Sequence, residues 1–241
     1  MEKYLFEKEW KEAVLIRKDN KSTVLVLDGE EQEVYCPEIA RGNIDEKGSP
    51  CLISESRGSG NGKYEVMAFS LDRMERQNKD WICLRPDIFE DAVSFFIANH
   101  QMEEMVSECG VGKGKTGRGD VEADFLAGDA YIGINIPDAI LNAVDGGWMQ
   151  IKSLLLTAEK ITKYKNVLDH LRDTGKRMIF LTVFQHGLND NMQGLLCKEL
   201  SRFFGMDMDE KNEFWIVDMK LEPEGITMLS YQSITDKVLL S

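Results

Sequence analysis

Apolar and polar positions come in short segments over the first 86 residues and at helical spacing after them. Ala13 to Arg17, Thr23 to Leu27, Glu33 to Cys36, Cys51 to Ser54, Tyr64 to Phe69 and Trp81 to Leu84 are strand-sized and rich in β-prone side chains. Asp28-Gly29 lies between the second and third of these runs, and this dipeptide accepts the positive φ of a tight hairpin. Pro37 ends the third run, because it lacks the amide that a sheet ladder needs. Arg57-Gly58-Ser59-Gly60-Asn61-Gly62 has the composition of a turn. Short strands at this spacing, with no helix between them, predict a small barrel or sandwich.

The period changes at Pro86. Ile88, Phe89, Val93, Phe96 and Ile97 recur at helical spacing, with Pro86 placed to open the helix. Met102 and Met105 extend the apolar character. Val121 to Leu126 and Tyr131 to Ile136 predict a strand pair around Ala127-Gly128-Asp129. Ile161, Tyr164, Leu168 and Leu171 mark one face of a second helix, with Gly175 as its C-cap. Met178 to Phe184 is apolar but for Thr182, as in a strand buried on both faces. Leu195, Leu196, Leu200 and Phe203 predict a third helix ending at Gly205, and Phe214 to Leu221 with Ile226 to Tyr231 a final strand pair. The expectation is an α+β chain in two domains, residues 1–86 all-β and residues 87–241 mixed α/β, of ordinary domain size.

Composition narrows the function. The 241 residues carry a net charge of −13, with 43% apolar residues. That apolar content is enough for a sizeable core. No apolar run approaches the roughly 20 residues of a membrane helix, and the charged, interrupted segment from Met1 to Tyr4 does not look like a secretory signal. Five cysteines, Cys36, Cys51, Cys83, Cys109 and Cys197, form no C-x-x-C pair. An odd, scattered set argues against a disulfide framework or a zinc site and for a reducing cytoplasm. The acidic balance disfavours broad binding to polyanions or anionic membrane. It is uneven: residues 1–86 hold 14 basic and 17 acidic side chains, and residues 87–241 hold 15 and 25.

Candidate chemistry concentrates between residues 109 and 136. Gly114-Lys115-Thr116 has the end of a phosphate-binding P-loop, but Cys109 stands where the motif needs its first glycine, and a strand follows where a helix is required. A flexible loop with solvated lysines fits better. Lys113, Lys115 and Arg118 put three cations in six residues, a local match for phosphates with weak, salt-dependent binding. Asp120, Glu122 and Asp124 alternate and so share a face if that segment is extended. Such a row needs solvent or a hard cation such as Mg²⁺. Exposure accounts for it unless a second set of ligands joins it. His100, His170 and His186 have neither metal-ligand spacing nor a nucleophile motif beside them.

The order of these landmarks resembles the sugar fermentation stimulation protein family over nearly the whole chain. The matching segments are Leu-Asp-Gly-Glu-Glu-Gln-Glu-Val-Tyr-Cys-Pro at 27–37, Tyr64-Glu65, Ile82-Cys83-Leu84, Glu-Ala-Asp-Phe-Leu-Ala-Gly-Asp-Ala-Tyr-Ile at 122–132 and the helix and strand over 160–183. The resemblance implies an OB-like β-barrel followed by a restriction-endonuclease-like α/β domain that binds DNA. It also implies a metal-dependent site with Asp at Asp124 and a Glu-x-Lys on the next strand, where Asp and Glu hold Mg²⁺ and lysine assists the attacking water. This chain departs there: the Glu and Lys positions fall on Gly133 and Asn135. An alternative alignment on Gln150 and Lys152 needs a long insertion and still lacks the glutamate. Glu38-Ile39-Ala40 also replaces the family's Asn-x-Gly corner.

The expectation is therefore a catalytically degenerate nuclease-like protein, cytoplasmic, needing no cofactor, with Mg²⁺ only if a site survives at Asp124. Its partners would be nucleic acid, weakly, or protein. Two alternatives stand beside it. One is an active phosphodiesterase whose site has moved to Asp120, Glu122 or Asp129 and to Lys113, Lys115 or Lys152. The other is a protein scaffold that does not touch nucleic acid.

Overall fold

The computed structural model describes residues 2–18, 23–36, 48–56, 63–70, 72, 75–107, 110–115, 122–137, 143–144, 147–148, 157–171, 175–185, 190–204 and 211–241. In chain order the elements are β1 (Tyr4–Leu5), β2 (Lys11–Lys18), β3 (Thr23–Leu27), β4 (Glu30–Val34), β5 (Pro50–Glu55), β6 (Tyr64–Phe69), β7 (Ile82–Cys83), α1 (Pro86–Ala98), β8 (Val111–Lys115), β9 (Glu122–Ala127), β10 (Ala130–Asn135), β11 (Ala143–Val144), β12 (Gly147–Trp148), α2 (Ala158–Leu171), β13 (Arg177–Phe184), α3 (Asp190–Phe204), β14 (Asn212–Glu222), β15 (Gly225–Ser233) and α4 (Thr235–Leu239).

Strands β2 to β7 form one antiparallel sheet in the order β4-β3-β2-β5-β6-β7. The β3–β4 hairpin turns on Asp28 and Gly29, both at positive φ (52° and 85°), as the dipeptide predicts. Past the end of β4, Tyr35 meets β6 in parallel. Its amide donates to the Tyr64 carbonyl at 3.1 Å, and its carbonyl accepts from the Val66 amide at 2.9 Å. This contact curls the sheet onto itself and gives an OB-like barrel. Leu15, Leu25, Val34, Ile53, Val66 and Phe69 fill its interior.

The second sheet is mixed, with seven strands in the order β1-β15-β14-β13-β10-β9-β8. β10, β13 and β14 run parallel to one another, and the remaining pairs are antiparallel. β13 shows why its sequence is continuously apolar. Ile179, Leu181 and Val183 pack with α1, while Met178, Phe180 and Phe184 pack with α2 and α3 on the opposite face. The α1 cluster also takes in Leu52, Met67 and Cys83 from the barrel strands and Trp81 just before β7. The barrel thus has an interior of its own and shares a second core with the large sheet.

Three features depart from the sequence pattern. The glycine-rich stretch is a strand over Val111–Lys115, not a loop, because it completes the exposed ladder of β9. The first two strand residues, Tyr4 and Leu5, lie on the larger sheet rather than the barrel. There a Cβ on Gly225 would stand 2.1 Å from the Tyr4 carbonyl oxygen, so only glycine admits β1. Of the predicted α3 face Leu196 and Leu200 are buried, Leu195 is exposed, and Cys197 and Phe204 are buried beside them. Among the described residues no helix is long and apolar enough to cross a membrane.

Candidate functional site

The site forms where the β9–β10 hairpin meets the first turns of α2. β9 and β10 pair with Phe125 opposite Ile132, which brings Asp124 beside the far end of β10. The Ile134 amide donates to Asp124 Oδ2 at 2.6 Å. Lys163 Nζ donates to Asp124 Oδ1 at 2.5 Å, and the pair is partly buried, with side chains 39% and 19% exposed. The Ile134 carbonyl accepts from Lys160 Nζ at 3.0 Å and from the Tyr164 hydroxyl at 2.7 Å. Lys160, Lys163 and Tyr164 share one helical face by their spacing of three and four, which is why all three reach the same strand end.

The packing leaves no room at Gly133 for the glutamate that the family resemblance expects there. A Cβ there would lie 2.5 Å from Tyr164 Cε1 and 3.0 Å from Met178 Cε. The Tyr164 ring is 1% exposed and stands edge-on to Phe180, with ring centroids 5.4 Å apart. The tyrosine ring occupies the room that a side chain at Gly133 would need. Asn135, at the lysine position of the resemblance, is buried and lies opposite Thr182 across the parallel pair, so it brings no charge.

Glu90 on α1 is electrostatically coupled to this group. Its carboxyl is held above its ordinary range of about 4.5, first by burial and then by the like charge of Asp124; Lys160 and Lys163 act in the other direction, and Asp87 adds to the rise. Burial likewise pushes the Tyr164 phenol well up, with the Asp124 charge adding to it, so the hydroxyl stays protonated and serves as a donor. A raised carboxyl means that the folded chain holds its proton more tightly than the unfolded chain. Glu90 therefore favours folding at pH below the ordinary glutamate range, and that contribution fades as pH rises through that range toward the folded value. Glu90→Gln is expected to gain stability relative to the unchanged chain between pH 4 and 7. Paired thermal melts across that window check this, and a constant difference would refute it.

The other sequence candidates lie elsewhere or outside the described residues. Asp129 is exposed in the turn at the opposite end of the hairpin, 3.4 Å from Arg177 Nε. Lys113 and Lys115 sit on β8 at the edge of the sheet, in register with Phe125 and Glu122, with a register shift between them. Arg118, Asp120, Gln150, Lys152 and the Glu38-Ile39-Ala40 corner fall outside the described residues, as do Cys109 and His186. Cys36, Cys51, Cys83 and Cys197 are buried and form no disulfide among the described residues, and burial pushes Cys51 and Cys83 up to about 12, far from a reactive thiolate. His100 is exposed and pairs with Glu103. A cavity of about 60 Å³ between Trp81, Gln185, Met219 and Leu229 is far below the roughly 300 Å³ of a small-molecule pocket.

A Mg²⁺ ion at Asp124 would need carboxylate and carbonyl oxygens turned toward it. Both Asp124 oxygens and the Ile134 carbonyl already accept from protein donors, two of them ammonium groups that would repel a cation. Gly133 supplies no ligand. Among the described residues no three His, Cys, Asp or Glu side chains gather as a metal site. The residues present do not fit the ion. The sequence singles out Asp124, Gly133 and Asn135, which lie at this strand end, but not Glu90, Lys160, Lys163 or the polar role of Tyr164. The one available signal was the pair of lysines three apart beside the apolar stripe of α2.

No protein-family model matches the chain, and no curated protein is similar to it in sequence. Among solved structures, SfsA of Pyrococcus furiosus, the sugar fermentation stimulation protein A, solved in complex with Ca²⁺, is similar. The TM-score is 0.60 at 11% identity, over 96% of this chain and 98% of that one. At that identity the likeness is one of fold, and the chain has an SfsA-like fold.

Proposed function

We propose that this chain is a catalytically degenerate protein of the nuclease-like SfsA fold, built from two domains, that contacts nucleic acid weakly and does not cleave it. The SfsA-like fold supports the class. So does the order of elements after the barrel: a helix, a three-strand antiparallel meander, a helix and a parallel strand. The observation that carries the loss of catalysis is at the strand end. Tyr164 fills the space beside Gly133, while Lys163 holds the Asp124 oxygen that a metal would use. Metal-assisted phosphodiester hydrolysis needs a bound metal with positions open to the attacking water and the phosphate, and here protein donors take the oxygens that would hold such a metal.

Nucleic acid would meet the edge strand β8 through Lys113 and Lys115, with Arg118 beyond it. Three phosphate contacts give weak binding with a salt slope of about −0.9 per contact. The net charge of −13 works against anything tighter. The test pairs two measurements. Plasmid and oligonucleotides incubated with Mg²⁺ or Mn²⁺ are expected to stay intact; cleavage lost in Asp124→Ala would overturn the degenerate reading. A mobility shift at low salt is expected to weaken in the Lys113→Ala, Lys115→Ala, Arg118→Ala triple variant. No shift at low salt would leave the acidic surface to a protein partner instead.

A further inference from the structure

Resting on that reading, we propose that the Lys163 ammonium, with that of Lys160 beside it, stands in this chain in place of a divalent cation between Asp124 and the Ile134 carbonyl, and that removing it uncovers a divalent-cation site. Oxygens from two elements meet here, the Asp124 carboxylate on β9 and the Ile134 carbonyl on β10, and the negative charge of Glu90 on α1 acts on them. Two carboxylates close enough to feel each other's charge, both partly withdrawn from water, are unfavourable without positive charge among them. In this chain α2 supplies that charge. Lys163 Nζ donates to Asp124 Oδ1, and Lys160 Nζ donates to the Ile134 oxygen at 3.0 Å, so both bonds are charge-assisted.

The assignment explains the occupancy of both neighbouring positions. An ammonium tethered to a helix is a single charge with three donors and no open coordination position. It can neutralise Asp124 permanently but cannot bind water and phosphate as a metal does. With the cation built in, a glutamate at residue 133 has no ligand role, and the space can go to the Tyr164 ring, which gains the 2.7 Å bond to the same carbonyl.

The test is calorimetric titration of the full chain with Ca²⁺ and with Mn²⁺ alone. The unchanged protein is expected to show no binding below about 1 mM, the weak end for oxygen-ligated Ca²⁺. Lys163→Ala and the Lys160→Met, Lys163→Met double variant are expected to bind at least tenfold more tightly than that limit. Asp124→Asn added to Lys163→Ala should abolish the gain. Submillimolar binding by the unchanged protein overturns the proposal, as does a gain that survives Asp124→Asn, or folded lysine variants with no gain. If the lysine variants are unfolded without metal, Ca²⁺ must restore their circular dichroism, and failure to do so also overturns it. Cation binding by the unchanged protein without cleavage would sink this inference alone, whereas metal-dependent cleavage would sink the proposed function.

Discussion

Gly133→Glu is expected to destabilise the protein by about 3 kcal/mol and to restore no cleavage. The substitution introduces the residue type that the family resemblance places at this position, so it tests whether a missing ligand alone would account for the proposed loss of catalysis. The packing says that it would not. The first added atom would already stand 2.5 Å from the Tyr164 ring, which is buried against Phe180 and tied by its hydroxyl to the Ile134 carbonyl. The carboxylate would then enter a partly desolvated site that already holds Asp124 and feels the charge of Glu90. Urea denaturation followed by tryptophan fluorescence measures the loss. The same substitution in a Tyr164→Ala background should cost less by at least about 1 kcal/mol, because the two positions compete for one space. Equal costs in both backgrounds would show that the ring is not what excludes the side chain.

Tyr164→Ala is expected to cost about 4 kcal/mol, and Tyr164→Phe only about 1 kcal/mol. The ring does most of the work in packing: it is 1% exposed, in the cluster with Val167, Leu168, Met178 and Phe180. The hydroxyl adds one hydrogen bond to Ile134 and a long one, 3.5 Å, to Asp124. A loss of about 4 kcal/mol is a large part of the 5–15 kcal/mol typical of a domain, so Tyr164→Ala should shift its denaturation midpoint far more than Tyr164→Phe does. A larger loss in Tyr164→Phe than in Tyr164→Ala would mean that the residue is held by its polar contacts rather than by its ring.

Much of the architecture was legible in the local pattern. Asp28-Gly29 specified a hairpin through its φ requirement alone. Pro86 and the spacing of Phe89, Val93, Phe96 and Ile97 specified α1, and the run around Phe180 specified a strand covered on both faces. The failures came where a neighbour outweighed local preference. Val111–Lys115 carries two glycines and reads as a loop, yet pairing with β9 makes it a strand. Tyr4 and Leu5 are too short a run to signal a strand, and they form one only because Gly225 leaves room for their backbone.

The candidate site divides the same way. Asp124, Gly133 and Asn135 could be found along the chain, because a departure from a motif is visible at the positions of the motif. Glu90, Lys160 and Lys163 could not. They lie on two helices separated by dozens of residues, and a lysine or glutamate beside an apolar stripe is the ordinary edge of a helix. Sequence alone determined the periods, the turns and the presence of a glycine at residue 133, where the resemblance expects a glutamate. Only the tertiary structure decided what took its place, since the Tyr164 ring and the Lys163 ammonium reach Gly133 and Asp124 through the crossover that lays α2 against the end of β10, a relation that no local spacing encodes.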